Sequence, residues 1–124
     1  MTQVQLPPYA RMLGLRIDDN VVTMPYDVHL IGAPGRLHGG TVAGLMEIAA
    51  NYAVRAALGD DSASIKPINV SVDYLRAGKP VDSHAQAIIA RLGRRIANVR
   101  VEAWQEDRQR LIAEARLNIL IVRA

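Results

Sequence analysis

The sequence predicts an α+β chain: one antiparallel sheet with a single long helix buried against one face. Three observations carry this. From Ile68 to Val122, apolar and polar residues alternate in four runs, the period-two pattern of strands with one covered face. The connections between these runs are short, which suits antiparallel neighbours. Between about Gly40 and Leu58 lies a run that is apolar on nearly every side, so a helix there must be covered by the sheet.

In chain order, Leu6 to Leu13 reads as a short helix, with Pro7-Pro8 suited to its first turn and Gly14 to its end. Leu15–Asp18 and Val21–Tyr26 flank Asp19-Asn20, a turn pair, and form a hairpin. Asp27 to Leu37 holds His29, Gly32, Pro34 and Gly35 and is a loop that delivers the chain to the long helix. That helix stops at Gly59-Asp60-Asp61, and Asp60 to Ser64 is a polar, mobile connection. Ile68, Val70, Val72 and Tyr74 then share one strand face, with Asn69, Ser71 and Asp73 on the other. Gly78-Lys79-Pro80 ends that strand. Val81–Leu92 and Arg95–Gln105 meet at Gly93, and Glu106–Arg110 is a charged turn. In the last strand, Leu111–Val122, one face collects Ala113, Ala115, Leu117, Ile119 and Ile121. No repeat, linker or low-complexity tract interrupts residues 1–124, which form one domain.

Composition narrows the classes. A chain of 124 residues can bury a real core, and with no Phe, one Trp and four Tyr that core is aliphatic. No apolar run has the length of a membrane span, and Met1–Leu6 lacks the basic start and apolar centre of an export signal. The absence of cysteine excludes disulfides and thiol catalysis, and the expected location is the cytoplasm. The net charge of +3 comes mostly from arginines spread along strands, without a basic run or interleaved aromatics. That pattern points away from nucleic acid and towards an anionic small ligand or a solvated basic surface.

The stretch Leu37-His38-Gly39-Gly40-Thr41-Val42-Ala43-Gly44-Leu45-Met46-Glu47 carries the chemistry. Two glycines at a helix start let another molecule approach free backbone N–H groups. Those groups and the helix dipole stabilise negative charge, including the oxyanion that develops during acyl transfer. Glu47, alone among apolar neighbours, is a candidate base or nucleophile. The rise from Gly40 to Glu47 is roughly 10 Å, so one helix does not bring both to the same carbon. A two-fold dimer does, with the helix start of one chain meeting Glu47 of the other. Gly40, Gly44, Glu47, Asn51, Arg55 and Leu58 fall on one narrow stripe, a site or a tight interface. The plainer reading is an i, i+4 hydrogen bond between Glu47 and Asn51. His38 either orients the loop and polarises a carbonyl, or is structural, bonding loop carbonyls. No serine has a nucleophile-elbow context, and the histidines at 29, 38 and 84 lack metal-ligand spacing.

The block from Leu37 to Glu47 closely resembles the hotdog-fold thioesterases, in the PaaI-like and 4-hydroxybenzoyl-CoA thioesterase branch, where an acid follows the HGG histidine at the same spacing. The similarity extends to Val72-Asp73-Tyr74-Leu75-Arg76 and to Arg91-Leu92-Gly93-Arg94-Arg95 and covers nearly the whole chain. It implies a hotdog fold, a curved antiparallel sheet wrapped around one central helix. It implies an acyl-CoA thioesterase that releases a carboxylate and free CoA with no metal or redox cofactor, coenzyme A being part of the substrate. Glu47 would be its nucleophile or general base, Gly39 and Gly40 its oxyanion hole, and Asn51 a residue that holds water or orients Glu47. Arg91, Arg94 and Arg95 would lie near the CoA phosphates, Arg76 being a weaker candidate. Asp73 and Tyr74 read mainly as strand residues and Trp104 as packing. The resemblance also implies a homodimer, assembling to a homotetramer; charge pattern and run length point to no nucleic-acid or membrane partner. Two positions depart from the family. Gly32 stands where relatives often carry Asn or Gln, leaving His29 or a loop backbone group to substitute. Asn51 stands where they often carry a hydroxyl residue. Gly32 favours an alternative, a hotdog module that binds acyl-CoA without turnover. A hydratase or dehydratase is a further alternative, but its local motifs are missing. Few aromatics imply an aliphatic-lined acyl pocket, open to aryl and medium-chain groups alike.

Overall fold

The computed structural model describes residues 6–123; the expectation about an export signal falls largely on residues 1–5, outside them. The apolar run after His38 forms one helix, α2, Gly39–Leu58. It ends where Gly59 turns left-handed (φ 60°) and donates its N–H to the Arg55 carbonyl at 3.3 Å, a glycine stop of the common kind. Before it come α1 (Pro8–Leu13), β1 (Arg16–Asp18), β2 (Val21–Met24) and a 3-10 turn at Val28–Leu30. After it come β3 (Ser64–Tyr74), β4 (Ser83–Leu92), β5 (Ile96–Trp104) and β6 (Leu111–Val122). The six strands form one antiparallel sheet in the order β1-β2-β4-β5-β6-β3, and α2 lies across one face, mainly over β4 and β5. This is the curved sheet and central helix of the hotdog arrangement. Among the described residues no helix is long and apolar enough to cross a membrane.

The face of β6 read from alternation is the buried one: Ala113, Ala115, Leu117, Ile119 and Ile121 meet Leu45, Met46, Ala49 and Val54 of α2 in one aliphatic core. Two details differ from the sequence expectation. The polar connection after α2 is tied down, because the Asp60 carboxylate accepts the Ser62 amide (3.0 Å) and hydroxyl (2.6 Å). The hydroxyl bond holds that carboxyl below its usual range. Strand β3 therefore begins at Ser64 rather than Ile68. Its register then slips between Pro67 and Asn69, where proline has no N–H to give the ladder, and Ile68 is left exposed at the bulge. Beyond the bulge Val70, Val72 and Tyr74 share a face as expected, yet Val70 and Tyr74 are exposed because β3 is an edge strand.

On the other face of the sheet, Trp104 is covered by Arg108, whose guanidinium carbon lies 4.0 Å from the ring centroid, and by His84, 5.8 Å away. Arg108 also donates to Glu102 at 2.8 Å. The packing role expected for Trp104 is thus the one it has.

Candidate active site

The entry to α2 is pinned from both sides. Leu37 N–H donates to Gly78 O (3.0 Å) and His38 N–H to Leu30 O (2.8 Å). His38 itself is extended (φ −67°, ψ 130°), and its ring turns back to accept the Gly40 N–H at Nδ1, 2.9 Å. Nδ1 therefore carries no hydrogen. The ring thus bonds the first turn of the helix rather than a loop carbonyl. It acts as an N-cap, a role usually taken by Ser, Thr, Asp or Asn.

This divides the two glycine amides. The Gly40 N–H is committed to His38. The Gly39 N–H donates to no group among the described residues. The helix start thus has one open amide, not two, because the residue before the glycines is a histidine able to reach back. We expect His38→Ala to lower stability by about 0.5–2 kcal/mol in urea unfolding. His38→Asn should recover most of it by capping the same amides.

Tyr74, read from sequence as a strand residue, belongs to this corner. Its hydroxyl donates to Gly39 O at 2.9 Å. Its ring atoms lie 3.3 Å from where a Cβ on Gly39 would stand, so glycine lets the ring close over the helix start. A cleft of about 340 Å³ opens here, lined by Arg36, Gly39, Val42, Tyr74, Arg76 and Ile112. The signal in the sequence was a tyrosine ending the apolar face of a strand, where a ring can pack and its hydroxyl reach a carbonyl.

The loop before the corner is crowded. A Cβ on Gly32 would stand 2.9 Å from the His38 Cα, a backbone atom. His29, the expected stand-in for the side chain missing at Gly32, makes its contacts on the far side of the loop. Its Nε2 lies 3.2 Å from Met12 O and its Nδ1 3.3 Å from the Asp27 carboxylate, so it ties the loop to α1. The bond from His29 keeps the Asp27 carboxyl below its ordinary range.

Glu47 lies two turns into α2, about 12 Å along the axis from Gly39. It is half-buried and makes no hydrogen bond or ion pair among the described residues. The bond to Asn51 that would have explained both residues is not made. The Asn51 Oδ1 is buried and has no donor among the described residues, a costly state for a polar atom. Asn51 lines a cleft of about 180 Å³ with Leu6, Ile48, Tyr52, Arg55 and Ile65. The rest of the polar stripe has local causes. Gly44 makes room for Tyr9, whose ring would lie 2.6 Å from an added Cβ, and Arg55 donates to Ala63 O.

Arg91, Arg94 and Arg95 do gather, around a cleft of about 450 Å³ at the β4–β5 turn. They do not approach Gly39 of the same chain. Tyr74 pairs with Ala113, and Ala113 with Ala103, at one end of the sheet; Ile96, beside the arginines, pairs with Leu120 at the other. The run from Ile96 to Ala103 spans roughly 23 Å at about 3.3 Å per residue.

The profile of the thioesterase superfamily matches residues 34–112. Among solved structures, a thioesterase family protein from Silicibacter pomeroyi superposes with a TM-score of 0.87 at 24% identity, over 95% of this chain and 91% of that one. A phenylacetic acid degradation-related protein from Ralstonia eutropha JMP134 gives 0.83 at 23% identity, over 94% and 92%. A protein from Bacillus halodurans, solved with CoA, gives 0.85 at 19% identity, over 95% and 78%. No curated protein matches the sequence significantly.

Proposed function

The chain belongs to the thioesterase superfamily and is a thioester hydrolase, and from this premise we propose that its substrates are acyl-CoA esters, cleaved to a carboxylate and free CoA. The observation that carries the reading is the pair on α2: an open Gly39 amide at the helix start and an unpaired, half-buried Glu47 in the same helix. The thioester oxygen accepts from Gly39 N–H, where the helix dipole stabilises the charge that develops on it. Glu47 either attacks the carbonyl carbon and expels CoA thiolate, forming an anhydride that water opens, or takes a proton from a water that attacks. Asn51, four residues further along the helix, orients Glu47 or that water through its side-chain amide N–H groups. Neither route calls on a metal or redox group.

The two groups are too far apart in one chain, so the site is shared by a homodimer. The β3 edge supports this: it is an 11-residue strand with an unpaired outer side and exposed Val70 and Tyr74. Antiparallel pairing of two β3 edges brings the arginine turn of one chain to the same end of the joined sheet as the Gly39 corner of the other. The arginines then hold the CoA phosphates through their planar donor forks. The CoA-bound neighbour supports CoA rather than a carrier protein as the thiol.

Thiol release from short, medium, long and aryl acyl-CoAs tests the reading; no release from any of them would overturn it. Replacing Arg91, Arg94 and Arg95 by Ala should raise KM for CoA esters about tenfold or more, the scale of losing one charge-assisted contact. The same change should leave hydrolysis of short thioesters without a nucleotide unaltered.

A further inference from the structure

The segment 75–82, which joins β3 to β4, forms one wall of the cleft at Gly39 through Leu75, Arg76, Ala77 and Gly78. Its first two amides, Leu75 and Arg76, both donate to Ile112 O, at 2.8 and 3.1 Å. At its other end the Asp82 carboxylate accepts the Tyr26 N–H at 2.7 Å. Between these ends the chain runs through a glycine and a proline, outside any strand. Gly78 O accepts the Leu37 N–H, and a Cβ on Gly78 would stand 3.2 Å from the Leu37 side chain. The wall and the entry to α2 are thus in contact through both backbone and side chain.

A buried glutamine fixes this wall. Gln105, the residue after β5, is 9% exposed. Its Oε1 accepts the Lys79 N–H at 3.0 Å, and its Nε2 donates to Lys79 O at 2.9 Å. One side-chain amide therefore satisfies both backbone groups of one residue, as a neighbouring strand would. Nε2 also lies 3.2 Å from Oγ of Ser83, which is fully buried. The Lys79 ammonium pairs with Glu106 at 3.7 Å, but both side chains are exposed and the pair adds little.

We propose that Gln105 is a positioning residue for hydrolysis. By holding the Lys79 peptide groups it fixes Gly78 O, and through Leu37 it sets the open Gly39 amide where the thioester oxygen arrives. The role rests on the acyl-transfer reading of that amide. On the other side of the corner, the His38 N–H is bonded to Leu30 O. The bond from Leu37 to Gly78 is what stops the corner pivoting about that point. An oxyanion donor acts only if it is already in place when charge develops.

Three substitutions in the full chain test this. Gln105→Met keeps about the length of the side chain and removes its hydrogen bonds. It should lower kcat about tenfold to a hundredfold, the scale of displacing a reacting group by about 1 Å, with KM little changed. The loss should be the same for acyl-CoA and for short thioesters without a nucleotide. Hydrogen exchange at the Leu37 amide should quicken about fivefold or more, the protection that one hydrogen bond contributes. Glu106→Gln removes only the exposed ion pair and should leave both unchanged. Gln105→Glu separates positioning from stability by its pH profile. When protonated, the introduced carboxyl accepts from Lys79 N–H and donates to Lys79 O, as the amide does. When ionised, it sets negative charge against the carbonyls of Lys79 and Val81. Burial and those carbonyls favour the protonated form and raise its pKa. The kcat of Gln105→Glu, relative to wild type at the same pH, should therefore approach one as pH falls and drop as pH rises. The ratio for Gln105→Met should stay flat. A residue that only stabilised the fold would lower the urea midpoint and leave both ratios near one in folded protein. Absence of thiol release by wild type would overturn the reading of the site itself. With an active wild type, the positioning role is overturned if folded Gln105→Met keeps the wild-type kcat, or if the Gln105→Glu ratio does not change with pH.

Discussion

Glu47→Ala should lower kcat/KM for thioester hydrolysis by about a thousandfold, within the 10²–10⁴ range expected for removing a positioned acid–base group. The fold should not suffer. A half-buried carboxylate with no partner among the described residues gives the native state little. The urea midpoint is therefore expected at or above wild type, which separates lost chemistry from lost structure. A decrease below tenfold would remove Glu47 from the reaction. The same variant tests the shared site. Gly39→Pro removes the open amide at the first helical position, where the backbone tolerates proline and the Tyr74 ring must give by a few tenths of an ångström to admit the Cβ. Each variant alone should be nearly inactive. Mixed by co-refolding, half the dimers pair one of each and hold one intact site, so activity should return to about a quarter of wild type. A site built within one chain would return none.

Gly32→Asn, although it introduces the residue that resembling enzymes often carry, should reduce both stability and activity. The added Cβ would stand 2.9 Å from the His38 Cα. Backbone cannot swing aside as a side-chain tip can, so either the loop or the helix start must move. Forced overpacking of this kind costs about 1–3 kcal/mol. The displaced residue is the one whose ring fixes the Gly40 amide and sets the first turn of α2. A shift of about 1 Å at an oxyanion donor can cost about 10² in rate. A lowered urea midpoint with hydrolysis down tenfold to a hundredfold is the expected result. A rise in kcat without loss of stability would show that the loop has slack, and that the missing side chain limits the enzyme.

The elements governed by periodicity were readable from the sequence. The extent of α2, the buried face of β6 and the glycine stop at Gly59 follow from apolar spacing and one backbone preference. What escaped depended on contacts between distant segments. Nothing local marks Tyr74 as a partner of Gly39, or Tyr9 as the reason for Gly44. The HGG spacing marked the corner but not which amide is open, because that depends on the rotation of one imidazole. The early start and bulge of β3 turn on Pro67 and on the bonds of Asp60, which break the simple alternation. The three arginines are neighbours in sequence and so were found together. Their separation from Gly39 is a matter of strand register, which sets them at opposite ends of the sheet and which alternation does not encode.

Trp104 gives the chain a built-in optical probe. It is the only tryptophan, and at 9% exposure it sits beneath the Arg108 guanidinium on the side of the sheet opposite the helix. Its emission will shift to the red when that cover opens, and so will follow melting of β4, β5 and the turn before β6. Fraying of α2, where the proposed chemistry lies, will leave it dark to the fluorimeter and visible to far-ultraviolet circular dichroism. Unfolding curves from the two signals that fail to superpose would therefore reveal a catalytic helix that loosens before its sheet.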